Sequence, residues 1–483
     1  MTGPALITTV ALATASYGLA QPPTFVHDVE PPGSGPAPPN IVLILLDDIG
    51  VDMVGAYGHP VAPCTPNIDV LAAQGMLFRN CWTNPLCSPT RAQILTGRHS
   101  FRTGVGTFIT VGNNLQLSLE ERTIAEELPA TYTSSAVGKW HLTQLENVFD
   151  PLDQGFDWFA GSMSNLPGYY NWERNENGIV TQEMNYATTV TTDDAIQRVT
   201  AMPEPWFLYV PYNAAHSPWE LPPAGLCPAS VGCFCHSDPN DDPQLARAIT
   251  EALDTEIGRL LAAVYAVDPD AYVFLMGDNG TPEPVQLEPL QERGAKSSLW
   301  EGGVHVPLIA TGPGIAAGES ATLVCATDLF ATILELAGAA NMTGDDSLSF
   351  APTLLGIPAP IREFNFAEKF GGTGGRDHRA VRDLRWKLRR TGGRADRLYD
   401  LDADPLEQTN LFPPNTQAEA QAYARLIGEL SRLGRASADL NGDGWVNITD
   451  LGILLSFFGV SDGATYGQGD IDGDGAVTIT DLV

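Results

Sequence analysis

The sequence predicts an α/β fold with a mostly parallel central sheet flanked by helices, and three observations carry that expectation. At 483 residues and 43% hydrophobic content, the chain can bury one large core or two. Four apolar runs of strand length each empty into polar, ionisable residues. Helical patterns, including those at 67–74 and 244–264, lie between the runs, which is the alternation of an α/β sandwich.

In chain order, residues 5–20 form a short apolar stretch ending in small residues. It is too short to span a bilayer and reads as a secretory signal, so residues 1–20 are expected to direct export to an extracellular or periplasmic location. No Lys or Arg precedes Arg79, so the basic segment that usually opens such a signal is absent. Residues 21–39, with Pro, Gly and Ser dominating from Pro31 to Pro39, read as a linker with no means of burying a core. No later segment is apolar enough to be a membrane helix.

Ile41-Val42-Leu43-Ile44-Leu45-Leu46 is continuously apolar, as suits an inner strand covered on both faces, and it ends at Asp47-Asp48. A weaker strand at 132–137 ends at Gly138-Lys139-Trp140-His141. Trp206-Phe207-Leu208-Tyr209-Val210 runs toward His216, and Tyr272-Val273-Phe274-Leu275-Met276 delivers Gly277-Asp278-Asn279-Gly280. Ligands of open α/β sheets bind beyond the carboxyl ends of the strands, so these residues are expected to converge on one crevice. After about residue 375 the character changes: 379–390 alternates like one exposed antiparallel strand, and 417–433 reads as an amphipathic closing helix.

The formal net charge of −32 and pI near 4.4 argue against nucleic-acid partners, which demand clustered Lys and Arg. A polyanionic substrate is repelled at long range and must meet a local cationic pocket. Only four lysines are available for it: Lys139, Lys296, Lys369 and Lys387. Seven cysteines, an odd number, suit an oxidising compartment only loosely. Cys227, Cys233 and Cys235 share a loop with His236, whose spacing matches no common zinc pattern and favours a disulfide-stabilised surface loop.

The stretch Cys87-Ser88-Pro89-Thr90-Arg91, continuing through Ala92-Gln93-Ile94 to Leu95-Thr96-Gly97-Arg98, places Pro89 in a first helical turn and Cys87 at the helix N-terminus. Free N–H groups and the positive helix end gather there, with Arg91 one turn further in, so the place favours an anion or a charged nucleophile. A buried structural thiol explains the same five residues taken alone. Asp47, Asp48, Asp278 and Asn279 are hard oxygen donors from two strand ends, which suits Ca2+ or Mg2+ and not a soft metal. Singly, an Asp pair after a strand is a turn or helix cap, His216 a loop histidine and Lys296 a solvated charge. Their joint occurrence at strand ends points to a site.

These motifs resemble the signature of the type I, formylglycine-dependent sulfatases of the alkaline phosphatase superfamily, over residues 40–412. The resemblance implies an alkaline-phosphatase-like sandwich, with a catalytic domain at 40–375 and a smaller α+β subdomain at 376–435. Leu398-Tyr399-Asp400-Leu401, Asp404-Pro405 and Asn410-Leu411 match the hairpin that begins that subdomain. It further implies hydrolysis of sulfate monoesters, on a sulfated carbohydrate or aryl sulfate, through a covalent sulfo-enzyme. Cys87 would be oxidised by a formylglycine-generating enzyme to an aldehyde whose hydrate is the nucleophile. Asp47, Asp48, Cys87, Asp278 and Asn279 match the ligands of a catalytic Ca2+ or Mg2+. Arg91 and Lys139 match the residues that hold the hydrate, and His141 the one that takes a proton from its second hydroxyl. His216, in Asn213-Ala214-Ala215-His216-Ser217-Pro218, matches the histidine at the leaving-group oxygen. Lys296, in Gly294-Ala295-Lys296-Ser297-Ser298-Leu299-Trp300-Glu301-Gly302-Gly303, matches the sulfate-binding lysine. In one departure, Val304-His305-Val306-Pro307 puts His where the family commonly has Arg, and altered support of that loop is expected.

Rival readings are a phosphomonoester or phosphonate hydrolase of the same superfamily, or an inactive carbohydrate-binding or docking protein on the same fold. Specificity is expected in loops such as 162–177, with Trp158, Tyr169, Tyr170 and Trp172, and in the Cys-rich loop near Trp219. Aromatics there either stack on substrate rings or pack the loop.

Residues 436–483 read as a separate module. Asp439, Asn441, Asp443, Trp445, Asn447 and Asp450 occupy positions 1, 3, 5, 7, 9 and 12 of an EF-hand-like calcium loop, with Gly444 at the turn. The pattern recurs 31 residues on (470 against 439) as Asp470, Asp472, Asp474, Ala476, Thr478 and Asp481 around Gly475. Ile453-Leu454-Leu455-Ser456-Phe457-Phe458 supplies the helix that calcium would organise. The duplicated loop and helix are similar to dockerin domains, which attach polysaccharide-degrading enzymes to cohesin-type scaffolds. That implies up to two further Ca2+ ions and tilts the substrate toward a sulfated polysaccharide or glycan. A calcium-stabilised tail without a docking partner remains the other reading.

Overall fold

In the computed structural model, β1 (Ile41–Leu46) has all six side chains buried, and it alternates them between two apolar layers. Ile41, Leu43 and Leu45 join one layer, and Val42, Ile44 and Leu46 the other. Burial of each contributes about 1.5–3 kcal/mol, which is why the run is unbroken rather than alternating. The residues described are 38–110, 112–226, 240–290, 294–341, 344–371, 377–435 and 448–459.

Among them, β1 is followed by β2 (Met76–Trp82), β3 (Thr133–Val137), β4 (Trp158–Gly161), β5 (Trp172–Glu176), β6 (Ile179–Glu183), β7 (Trp206–Pro211), β8 (Tyr272–Gly277), β9 (Leu308–Thr311) and β10 (Gly318–Cys325). They form one sheet in the order β10-β2-β9-β8-β1-β7-β3-β4-β5-β6. Only β9 and β5 run against the rest, so the sheet is mixed and mostly parallel, with β1 between its parallel neighbours β7 and β8. The helices Pro66–Gln74, Ala187–Ala201 and Asp242–Val267 cover one face through Ile68, Leu71, Ala195, Ile249, Leu253 and Ile257. The helices Cys87–Thr96 and Asp328–Leu336 cover the other through Ala92, Ile94, Leu95, Phe330 and Ile333.

A second, antiparallel sheet holds β11 (Asn365–Lys369), β12 (His378–Arg382), β13 (Trp386–Thr391) and β14 (Arg397–Asp400) in sequence order. The helix Gln417–Arg435 closes it, placing Ala422, Leu426 and Leu430 against Phe366, Val381, Leu388 and Leu398. β11 lies before residue 376, so this sheet draws on both sides of that boundary. The stretch 379–390 is not one exposed strand. It is two strands joined by Asp383-Leu384-Arg385, where Asp383 Oδ1 accepts from the backbone N–H groups of Arg385 and Trp386, and Ala380, Val381 and Leu388 are buried.

The two sheets share a buried ionic cluster. Lys387 Nζ lies 2.9 Å from Glu301 Oε1 and 3.0 Å from Glu407 Oε1, and Arg382 Nη1 lies 3.3 Å from Glu301 Oε2. Burial alone would push the Glu301 carboxyl up, but Lys387 and Arg382 outweigh it and hold it at about 2. The helix Ile448–Phe457 follows the first tail loop, and it carries Asp450. Residues 1–37, the cysteines at 227, 233 and 235 with His236, and the tail positions Asp439, Asn441, Asp443, Trp445, Asn447, Asp470, Asp472, Asp474, Ala476, Thr478 and Asp481 lie outside the described residues.

Candidate active site

Four strands of the central sheet end at one place. Asp47 and Asp48 follow β1, Lys139 to His141 follow β3, His216 follows β7, and Asp278 and Asn279 follow β8. Gly138 makes the turn out of β3 at φ 130°, and a Cβ there would sit 2.1 Å from the Pro211 carbonyl oxygen. The helix Cys87–Thr96, buried along its whole length, points Cys87 and Arg91 into the same crevice. Asp48, His141 and Ser297, all non-glycine, have φ of 62°, 59° and 73°. Each conformation costs on the order of 1–3 kcal/mol, held here by the surrounding structure.

The charges interlock. Lys139 Nζ donates to Asp47 Oδ2, Arg91 Nη2 donates to Asp278 Oδ2 at 2.8 Å, and Arg91 Nη1 donates to the Lys139 carbonyl at 2.8 Å. Lys296 Nζ sits 2.5 Å from Asp48 Oδ1, and Asn279 Nδ2 donates to that same oxygen at 2.8 Å. Asp278 Oδ1 accepts from the Asp48 backbone N–H at 3.1 Å. Burial opposes ionisation of Asp47, yet Lys139, His216 and Arg91 outweigh it and hold its carboxyl well below the usual range. Burial, then the neighbouring Asp47, push Asp278 the other way.

The histidine tautomers follow from their partners. His141 Nε2 faces the Ile109 carbonyl at 2.9 Å and must carry the hydrogen, leaving Nδ1 as an acceptor 3.3 Å from Cys87 Sγ. Burial, with Lys139 and Arg91 nearby, keeps His141 neutral. His216 Nδ1 donates to the Ser217 carbonyl at 2.6 Å, so its Nε2 is the nitrogen turned toward Asp48 Oδ2, 3.8 Å away.

The residues fit a divalent cation. Asp47 Oδ1 and Asn279 Oδ1 are buried acceptors with no hydrogen bond, an expensive state for an oxygen that has no ligand. Asp47, Asp48 and His216 offer ligand atoms all within 4.8 Å of one another. The crevice thus unites all ten residues expected from the sequence, but not as equals. Asp47, Asp48 and Asn279 turn acceptors inward, whereas Asp278 faces Arg91 and the Asp48 amide, and Cys87 faces His141.

Two expectations resolve differently. Tyr169 and Trp172 are buried and pack the loop rather than presenting rings, and Tyr169 Oη donates to the His216 carbonyl at 2.8 Å. His305 turns Nε2 to the Arg79 carbonyl at 2.8 Å and Nδ1 toward Glu301 Oε2 at 3.7 Å, while Arg382 and Lys387 supply the cations that hold Glu301. Sequence reasoning missed Asp52, which accepts from Thr281 Oγ1 at 2.7 Å and from the Leu287 N–H at 3.0 Å, fixing the loop after Asn279. The signal was Thr281 itself, next to Asp278-Asn279-Gly280.

Comparison with known proteins agrees with this geometry. The sulfatase family model matches residues 39–339. The N-acetylgalactosamine-6-sulfatase of Rattus norvegicus is 34% identical over 364 residues, covering 66% of each chain. Arylsulfatase A of Homo sapiens is 31% identical over 379 residues, covering 68% of this chain and 70% of that one. The chain thus spans about two thirds of the length of these relatives. A crystal structure of Ps i-CgsB in complex with k-i-k-neocarrahexaose superposes with a TM-score of 0.71 at 25% identity, covering 82% of this chain and 92% of that one. The shared architecture is the alkaline-phosphatase-like sandwich, the crevice residues from Asp47 to Lys296 lie inside the matched span, and the chain belongs to the sulfatase family.

Proposed function

We propose that the protein hydrolyses sulfate monoesters of a carbohydrate at this crevice, with Cys87 converted to formylglycine to supply the nucleophile. The observation that carries the reading is the meeting of three cations, Arg91, Lys139 and Lys296, with the orphaned acceptors Asp47 Oδ1 and Asn279 Oδ1 around residue 87. Asp47, Asp48, Asp278, Asn279 and residue 87 would hold Ca2+ or Mg2+. The bound ion would neutralise sulfate oxygens and lower the cost of ionising a hydroxyl.

The chain's own groups divide the remaining work. Lys296, tethered to Asp48, places a positive charge where sulfate oxygens develop charge. Arg91 and Lys139 fix Asp278 and Asp47. His216, with Nδ1 engaged, turns Nε2 toward the crevice, and its imidazolium form, with both ring nitrogens protonated, would give the Nε2 proton to the leaving oxygen. His141 offers Nδ1 to take a proton at residue 87. Relatives named as N-acetylgalactosamine-6-sulfatases and a neighbour seen with neocarrahexaose support a sulfated glycan as substrate. No helix among the described residues is long and apolar enough to cross a membrane.

The test compares turnover of nitrophenyl sulfate and nitrophenyl phosphate by the purified protein, expressed with a formylglycine-generating enzyme. A clear preference for sulfate is expected. A preference for phosphate would make it a phosphomonoester hydrolase of the same fold.

A further inference from the structure

The small antiparallel sheet carries a cleft of about 820 Å3 whose lining includes Trp300, His378, Arg389, Arg394, Arg397 and Asp396. In a chain with 26 Lys and Arg against 58 Asp and Glu, three arginines and a histidine in one cleft are out of proportion. The acid in the lining is already engaged: Asp396 accepts from Arg390 Nε and Nη2, both at 3.1 Å, and from Tyr423 Oη at 2.9 Å. Asp377 adjoins His378, and the buried Glu407 faces Arg389 from behind while bound to Lys387. The Arg389 guanidinium lies 3.7 Å above the Trp300 ring, and Arg397 lies 5.9 Å from it. Nε and Nη1 of Arg389 are buried behind the lining and make no hydrogen bond, with Tyr399 and Glu407 the groups nearest that guanidinium, so the charge of Arg389 is only partly met.

One segment supplies a residue to each place, Lys296 to the crevice and Trp300 to the cleft. Trp300 stands four residues after Lys296, so their Cα atoms lie within about 15 Å. Gly294, at φ 124°, lets Trp300 close over it, since a Cβ there would sit 2.3 Å from the ring. Lys369 Nζ donates to the Ser297 carbonyl at 3.1 Å and ties the same segment to β11.

We propose that this cleft binds a second anionic group, a sulfate or carboxylate, on the glycan whose sulfate ester occupies the crevice. The inference rests on the sulfatase reading for the identity of the chain that bridges the two places. Planar guanidinium groups match the paired oxygens of such anions, and the cleft gives a polyanion local attraction against the repulsion of the whole molecule.

The experiment measures, by calorimetry, binding of a sulfated glycosaminoglycan hexasaccharide and of its desulfated form to the full-length Cys87→Ala protein, with and without Arg394→Gln and Arg397→Gln. Both arginines are exposed, and a third protein carrying Arg389→Gln probes the buried donors. The double substitution is expected to weaken binding of the sulfated hexasaccharide about tenfold or more, while turnover of nitrophenyl sulfate by the Cys87 form is unchanged. An equal loss with the desulfated form assigns the carboxylate, and a loss confined to the sulfated form assigns the sulfate. Unchanged affinity in all the arginine variants overturns the proposal. If binding is lost as expected but no sulfate ester is turned over, the cleft stands and the sulfatase reading falls.

Discussion

One hydrogen bond each sets the ring nitrogen that His141 and His216 turn toward the crevice, Nδ1 in the first and Nε2 in the second. The Ile109 carbonyl fixes His141 as an acceptor toward residue 87, and the Ser217 carbonyl leaves His216 Nε2 facing the open side of the crevice. If His216 protonates the leaving oxygen, its worth depends on how badly that oxygen needs a proton. His216→Ala should therefore cut kcat on a sugar sulfate by about 10²–10⁴, and on nitrophenyl sulfate much less, as steady-state rates on the two substrates will show. Asp47→Asn keeps the shape of the side chain but removes its charge beside the orphaned Oδ1, and should abolish both divalent metal retained through gel filtration and turnover, with metal analysis as the readout. Most candidate residues were legible at this scale because they follow a strand or lie in the first turns of a helix, whereas Lys296 sits in the loop before the helix Glu301–Val304 and was legible only through its motif. The tautomers were not, because they depend on carbonyls at 109 and 217 that no side-chain pattern marks.

At the scale of elements, the departure at His305 is explained by what packs on it. Arg382 of β12 and Lys387 of β13 reach Glu301 from the small sheet, and Lys387 Nζ also lies 4.7 Å above the Trp82 ring. Lys387→Met would strand Glu301 and Glu407 in a buried place and should destabilise the protein by about 3–5 kcal/mol in denaturant melts. Adding Glu407→Gln should recover part of that loss. β11 holds a second buried acid, Glu368, which accepts from the Phe101 N–H at 2.8 Å. Burial pushes it up to about 7, with Arg379 offsetting only part. The unfolded chain releases that proton near pH 4.5, so between 4.5 and 7 the folded state binds the extra proton and stability falls as pH rises. Glu368→Gln should melt like the native protein at pH 4 and at a higher temperature at pH 8, by up to about 3 kcal/mol. The alternation at 379–390 hid a turn because Asp383 bonds two backbone N–H groups without breaking the period of two.

For the whole molecule, the central sheet was legible because its inner strands are apolar on both faces, a pattern only a doubly covered parallel sheet explains. The edge was not: β5 and β6 carry mostly polar residues, and residues 162–177 read as a substrate loop although β5 lies within them. The net charge of −32 makes local cations decisive, and the fold spends Lys139 and Lys296 on the crevice and Lys387 on joining the sheets. The central claim is that these parts serve a chemically converted residue at position 87. Mass spectrometry of the peptide carrying residue 87, taken from protein active on nitrophenyl sulfate, tests it most directly. The account predicts a mass about 18 Da below that of the thiol form, as an aldehyde in place of CH2SH requires. Full activity from protein whose Cys87 is wholly an unmodified thiol would contradict it.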